Sequence, residues 1–395
     1  EAVALRDSFT SLEPQRQLSK EQIDALRVEM ERASLAVPKA RKLADMPEGR
    51  YPITYAEDFY STLLPHIQNA REVAHLLAYD ALLQSQDDDA EAALTSCRAI
   101  VNTARSIGDE PQLICQLVRI ACRQQAVGAL ERTLAQGQPA GASLRDVQQL
   151  LEKEEPEPLL LIGVRGERAG GARYLAHLEA APGLLARRKI VLSFFGNESH
   201  DSQFTLMAVL PLFSTASLEW QRAAHLRFLT QLVEAAKLPP DQQQAEIERL
   251  EKSAKDQPFL VRLIAPSLSK TMASCRRSRV QLRCAAVALA TERYRLDKKK
   301  WPDKLETLHE AGYLHEVPMD LFDDQPLRMR RMEDGLLIYS VGRDGQDNGG
   351  HIDRNKPFLK GTDIGFRLWD ADKRRQPPAP RKPAKDAAGV PLGRF

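Results

Sequence analysis

The chain has 395 residues, 43% of them hydrophobic and 28% charged, with 56 Lys+Arg against 54 Asp+Glu. This is the composition of a globular protein able to bury a core, and it excludes a fibrous or wholly disordered chain. The longest apolar runs, such as Leu159 to Val164 and Cys284 to Ala290, fall short of the ~20 residues that cross a bilayer as a helix, and the net charge of +2 resides in residues 371–395, where seven Lys+Arg face two Asp.

The first predicted helix runs from Ser19 to Leu35, with Ile23, Leu26 and Met30 on one face and Ser19 as its cap ahead of Glu21 and Gln22. After the aromatic-rich Tyr51 to Tyr60 segment, Ile67 to Leu82 marks a second helix ending before Asp87-Asp88-Asp89, and that acidic triplet caps a third over Ala90 to Ala104. Gly108 stops it, Ile114 to Leu134 forms the next, and further helices are read at Leu144 to Glu154, Trp220 to Ala236 and Gln242 to Ala254. Short connections between long amphipathic helices give antiparallel neighbours. The cap-like starts Asp89 and Ser143 are 54 apart rather than the ~34 of a tetratricopeptide array. An irregular, tetratricopeptide-like set of helical hairpins is therefore expected, with Lys189 to Phe195 as the one strand-like stretch in this half.

After Ser267 the character changes. A long helix through Val280, Val287 and Tyr294 reaches Lys298-Lys299-Lys300, whose cations suit a helix C-terminus, and Trp301-Pro302 ends it. Asp303 to Ala311 reads as a short helix, and strands at Leu327 to Met332 and Leu336 to Val341 flank the turn residues Glu333-Asp334-Gly335. A Gly/Asp loop, Gly342 to Gly350, leads to a last strand at Ile364 to Trp369, and prolines 377, 378, 380, 383 and 391 mark a basic disordered tail. The expected units are an N-terminal helical arm (1–55), an α-helical body (56–266), a long helix with a small α+β domain and antiparallel sheet (267–370), and the tail (371–395).

The five cysteines form no CxxC pair, and Cys115 and Cys122, seven apart on one helix, lie about 10.5 Å apart along its axis, too far for a disulfide. They read as small buried hydrophobes. No histidine belongs to an HExxH motif, so each, His66 included, reads as a surface or helix-packing residue. Ser199-His200-Asp201 has the residue types of a hydrolase triad, but adjacent side chains cannot form the relay. Leu159 to Gly166 followed by Gly170-Gly171 lacks the Gly-Lys-Ser/Thr end of a phosphate loop and the GxGxxG of a dinucleotide fold.

The order of Trp301-Pro302-Asp303-Lys304-Leu305, Val317-Pro318-Met319-Asp320-Leu321-Phe322-Asp323 and the strand Leu336 to Tyr339 ending in Ser340-Val341-Gly342-Arg343-Asp344-Gly345 resembles the globular part of the major pseudopilins of type II secretion systems. The whole chain also resembles bacterial envelope proteins in which a helical body precedes such a domain. Leu63-Leu64-Pro65-His66, Asp109-Glu110-Pro111-Gln112-Leu113-Ile114, Gln116 to Ile120 and Arg165-Gly166-Glu167-Arg168 carry that second likeness, which also implies a helix over the glycines at 163–171. It implies a location in the bacterial envelope, facing the periplasm. Membrane association would come through an N-terminal anchor absent from this chain, which opens at Glu1 in polar sequence, or through the basic tail.

In pseudopilins the loop after the Tyr-Ser strand binds calcium, and the resemblance implies Asp344, Asp347 and Asp363 as ligands here, with Asp353 as a weaker fourth. Calcium takes six to eight oxygens, and the loop glycines let carbonyls turn inward. The alternative is an ordinary turn held by Asx hydrogen bonds. Basic residues without interleaved aromatics give nucleic-acid binding no support. The function expected is a non-enzymatic envelope scaffold that binds protein partners in a secretion- or pilus-like assembly, the rival reading being an envelope hydrolase.

Overall fold

A computed structural model describes residues 12–183, 185–187, 189–190, 215–354, 356 and 359–379. The strand-like stretch Lys189 to Phe195 and the Ser199-His200-Asp201 turn lie largely or wholly outside these residues. The described chain is mainly helical, with one small sheet late in the sequence.

Helix α1 (Lys20–Arg32) begins at the expected residue: the Ser19 hydroxyl accepts from the Gln22 amide while the Gln22 side chain accepts from the Ser19 amide, so two orphan donors are satisfied reciprocally. A short helix α2 (Val37–Arg41) and a 3-10 turn (Lys42–Asp45) complete the arm. Helix α3 (Pro65–Gln86) places proline where the missing N–H costs nothing. Asp89 caps α4 (Ala90–Arg105) by accepting from the Ala92 amide, and α5 (Leu113–Gln136) and α6 (Gly141–Glu154) follow. Helices α3, α4 and α5 pack against one another, the small residues Ala93, Ala99 and Ala104 allowing close approach, and α6 lies chiefly against the later helix over Phe259–Lys298 and also against α4.

Helices α7 (Leu159–Ala180), α8 (Thr215–Ala235) and α9 (Pro240–Ser253) form a second layer with its own apolar cluster around Val164, Phe228, Leu232 and Ile247. Helix α10 (Phe259–Lys298) runs without a break through position 267, and Lys299 closes it in the left-handed conformation at φ 59°. After the short helix α11 (Glu306–Glu310) come β1 (Arg328–Met332), β2 (Gly335–Ser340) and β3 (Ile364–Trp369), antiparallel in that order, with Ile338 opposite Met329 on one side and Phe366 on the other. Among the described residues no strand precedes β1. The buried β2 and the inward face of β3 share one apolar cluster with α3 to α6 and α10, so the sheet and the helical hairpins have a common core.

One carboxylate organises the polar interior. Glu154, at the end of α6 and fully buried, accepts from Arg119 at 2.7 and 2.9 Å, from Arg123 at 2.8 Å and from Arg105 at 3.1 Å. Burial alone would raise its carboxyl, but Arg123 and Arg119 together outweigh that and hold it below the ordinary carboxylate value. Spare donors of the same arginines reach backbone carbonyls: Arg105 to Pro47, Arg119 to Gly108 and Arg123 to Glu154 itself.

Residues 371–379, assigned from composition to the tail, are held against the body. Arg374 donates to Glu292 and to the Gly137 and Trp369 carbonyls, Arg375 donates to the Ser85 and Gln86 carbonyls, and the Gln376 carbonyl accepts from the Gln17 amide. Gly128 offers a direct test of helix propensity here, because it is exposed in the interior of α5 and an added Cβ would meet nothing within 4 Å. Gly128→Ala is expected to stabilise the protein by about 0.5–1 kcal/mol, read as a higher urea midpoint at unchanged slope.

Candidate functional site

The loop singled out for calcium uses its acids on itself. Asp344 accepts from the Gln346 and Gly361 amides, Asp347 from the Gly349 amide and Tyr339 hydroxyl, Asp353 from the Lys356 amide, and Asp363 from the Gly350 and Asn348 amides. The Asn348 side chain joins Asp344 and Asp363, donating to both, and Arg328 pairs with Asp347 at 3.2 Å. No three of the four acids bring their oxygens within 4.8 Å of one another. Each carboxylate keeps lone pairs beyond these bonds, and a calcium ion would have to draw the carboxylates together.

The place where chemically able side chains do converge is elsewhere, beneath the aromatic segment 51–62. His66 stands in the first turn of α3, Glu110 in the turn between α4 and α5, and Cys115 in the first turn of α5. Their donor atoms lie within 4.8 Å of one another, and all three residues are buried; among the described residues no other trio of His, Cys, Asp or Glu meets so closely. His66 Nε2 and Glu110 Oε2 are 2.8 Å apart.

Local sequence explains the convergence. Pro65 starts α3 so that His66 faces inward from the first turn, and Tyr51 stacks on its imidazole with ring centroids 4.7 Å apart. The Gln116 side chain donates to the Glu110 and Gly108 carbonyls and fixes the turn that carries Glu110. From outside, α7 braces the turn: Glu167 accepts from the Leu113 amide and the Tyr60 hydroxyl, and Gly166 packs directly on Pro111. Segments 63–66, 109–114, 116–120 and 165–168 thus come together around this trio.

Comparison of the chain with protein-family models, with curated proteins and with solved structures finds no match.

The electrostatics of the trio argue against a free nucleophile. Burial, and after it the neighbouring Glu110 carboxylate, push the Cys115 thiol far above its ordinary value, so it stays protonated at neutral pH, whereas reactive cysteines need an environment that favours the thiolate. Glu110 Oε1 is buried and has no hydrogen-bond partner, an arrangement that costs about 1–3 kcal/mol when nothing compensates it. Sequence reasoning passed over His66 and Cys115 because each, taken alone, looks like a packing residue.

A groove of about 350 Å³ lies on the α6–α10 face. Leu151, Leu282, Ala286, Val287 and Leu314 make its apolar floor, and Glu152, Glu155, Arg283, His315 and Glu316 make its rim. Glu155 is shared by Arg279 and Arg283. Met319 lies at one edge, 46% exposed.

Proposed function

We propose that the chain is a non-enzymatic scaffold of the bacterial envelope that holds a partner protein in a secretion- or pilus-like assembly, as its pseudopilin-like segments imply. The observation that carries the reading is the groove between α6, α10 and residues 314–319. An apolar floor within a charged rim takes a peptide segment by one or two apolar anchors while excluding water around them. With Glu155 already paired to Arg279 and Arg283, the rim acids Glu152 and Glu316 favour an anchor flanked by Lys or Arg. The protonated, buried state of the Cys115 thiol weighs against the hydrolase alternative. The basic segment 380–395 would add attraction to an anionic lipid surface or an acidic partner.

Site-specific photo-crosslinking in native membranes tests the proposal. A photo-reactive residue at Met319 is expected to trap a discrete adduct that a probe at Lys20, on the arm, does not. Met319→Arg, introduced with the probe moved to His315, should abolish that adduct by placing a cation against the basic flank. Equal adducts at both positions would remove the groove from consideration. Labelling by a hydrolase-directed activity probe, lost on substitution of one Ser or Cys, would establish the enzyme reading instead.

A further inference from the structure

We propose that His66, Glu110 and Cys115 form a binding site for a single transition-metal ion of the zinc class, a site independent of the groove and of the scaffold reading. One imidazole, one carboxylate and one thiol are a borderline-soft donor set, suited to zinc or cobalt and unsuited to calcium or magnesium, which take oxygen alone. The spacing fits. Tetrahedral bonds of about 2.0–2.3 Å put ligand atoms about 3.3–3.7 Å from one another, and the three donor atoms here already lie within 4.8 Å of one another. The 2.8 Å contact between His66 Nε2 and Glu110 Oε2 has to open by about half an ångström to admit the ion.

A second observation points to the same ligand. Glu110 is 4% exposed, and while its Oε2 atom meets His66 Nε2 at 2.8 Å, its Oε1 atom has no geometric hydrogen-bond partner, which leaves acceptor capacity in the interior beside the Cys115 thiol. A divalent ion takes up that capacity: with the Glu110 carboxylate and a Cys115 thiolate the net charge of the buried site falls to zero, which removes the penalty of an isolated interior charge. On binding, the Cys115 S–H bond breaks, its electron pair forms the sulfur–metal bond, and the proton leaves to solvent. His66 coordinates through the Nε2 lone pair as the Nδ1–H tautomer, and neither sulfur nor metal changes oxidation state. Three protein ligands leave a fourth position open. Tyr51 covers the imidazole, and Tyr55, whose hydroxyl is raised above its ordinary value by burial and then by the Glu110 carboxylate, is 47% exposed.

Calorimetric titration of the reduced, metal-stripped full chain with zinc chloride tests the site. The expected result is one ion per chain, one proton released per ion across buffers of different ionisation enthalpy, and a higher melting temperature, as linkage requires of an ion that binds the folded state. Affinity should fall with falling pH because protons compete for the ligands. X-ray absorption on the zinc-loaded wild-type chain should show one sulfur and the remainder nitrogen or oxygen, a readout that needs no variant. Cobalt should give a thiolate-to-metal charge-transfer band that Cys115→Ser abolishes and Cys284→Ser leaves intact. His66→Gln should weaken zinc by more than about tenfold, beyond the lower end of what losing even a supporting contact costs. Absence of binding, a first shell without sulfur, or a cobalt band that survives Cys115→Ser would overturn the proposal.

Discussion

Glu154→Ala is expected to lower the unfolding free energy by about 3–5 kcal/mol, the cost of stranding buried charges whose partner has been removed. The variant leaves Arg105, Arg119 and Arg123, all buried, with only the more distant Glu157 carboxylate, 3.6 Å from Arg119, to offset them. Against a total of about 5–15 kcal/mol for an ordinary domain, that loss brings the fold near its threshold. Glu154→Gln keeps the shape and some hydrogen bonds but not the charge, so it should fall between wild type and Ala. The pH dependence has a definite sign. The folded-state carboxyl lies below its unfolded value because the arginines outweigh burial, so the contribution is complete above the unfolded value of about 4.3 and is lost as pH falls through the folded one. Urea melts followed by circular dichroism should therefore show the full wild-type-to-variant difference at pH 7 and a shrinking one in acid. A difference that holds constant into strong acid would show that packing, not charge, explains the loss.

Gly166→Ala should also be costly, although alanine is the better helix former by about 1 kcal/mol. A Cβ at this position in α7 would sit 1.6 Å from the Pro111 carbonyl oxygen and 2.3 Å from its carbon. Backbone cannot swing aside as a flexible side chain can, so the helix and the 108–112 turn must separate, and overpacking of this kind costs about 1–3 kcal/mol or more. The sign is opposite to that expected for Gly128→Ala, where the space is open. Because Pro111 follows Glu110, the displaced turn should also misplace the carboxylate, so Gly166→Ala is expected to weaken zinc as well as stability. Retention of wild-type melting would mean that α7 does not press on the turn this closely.

Local signals and distant ones differ in how well they can be read from the chain alone. The Ser19 and Asp89 caps, the helix-starting Pro65 and the alternation that sets β3 depend on residues a few positions apart, and the pattern displays them directly. The glycines of α7 do not share that property. Gly163, Gly166 and Gly170 are small because Leu113, Pro111 and Phe59 press on them, and the missing phosphate-loop and dinucleotide motifs set those readings aside without naming these neighbours. The same holds for the trio: His66 lies 44 residues before Glu110, with no fixed spacing for a motif to capture. Arg374 and Arg375 sit in a stretch whose proline and cation content reads as tail, yet the carbonyls that hold them belong to the ends of α3, α5 and β3. The acids of the 344–363 loop were legible as a cluster in sequence, whereas their engagement with the loop's own amides depends on backbone turns that composition does not encode.

The pairing of the first and last described segments has a mechanical consequence. Arg16 and Gln376 bridge in parallel, with the Gln17 amide donating to the Gln376 carbonyl and the Gln376 amide to the Gln15 carbonyl. Tension applied through residues before 12 and after 379 pulls two parallel segments in opposite directions along their common axis. Their hydrogen bonds and the Arg374 and Arg375 contacts are then loaded together, in shear, instead of being peeled one after another. A protein strung between two attachment points by its ends would hold its helical body unstrained until that clasp slipped.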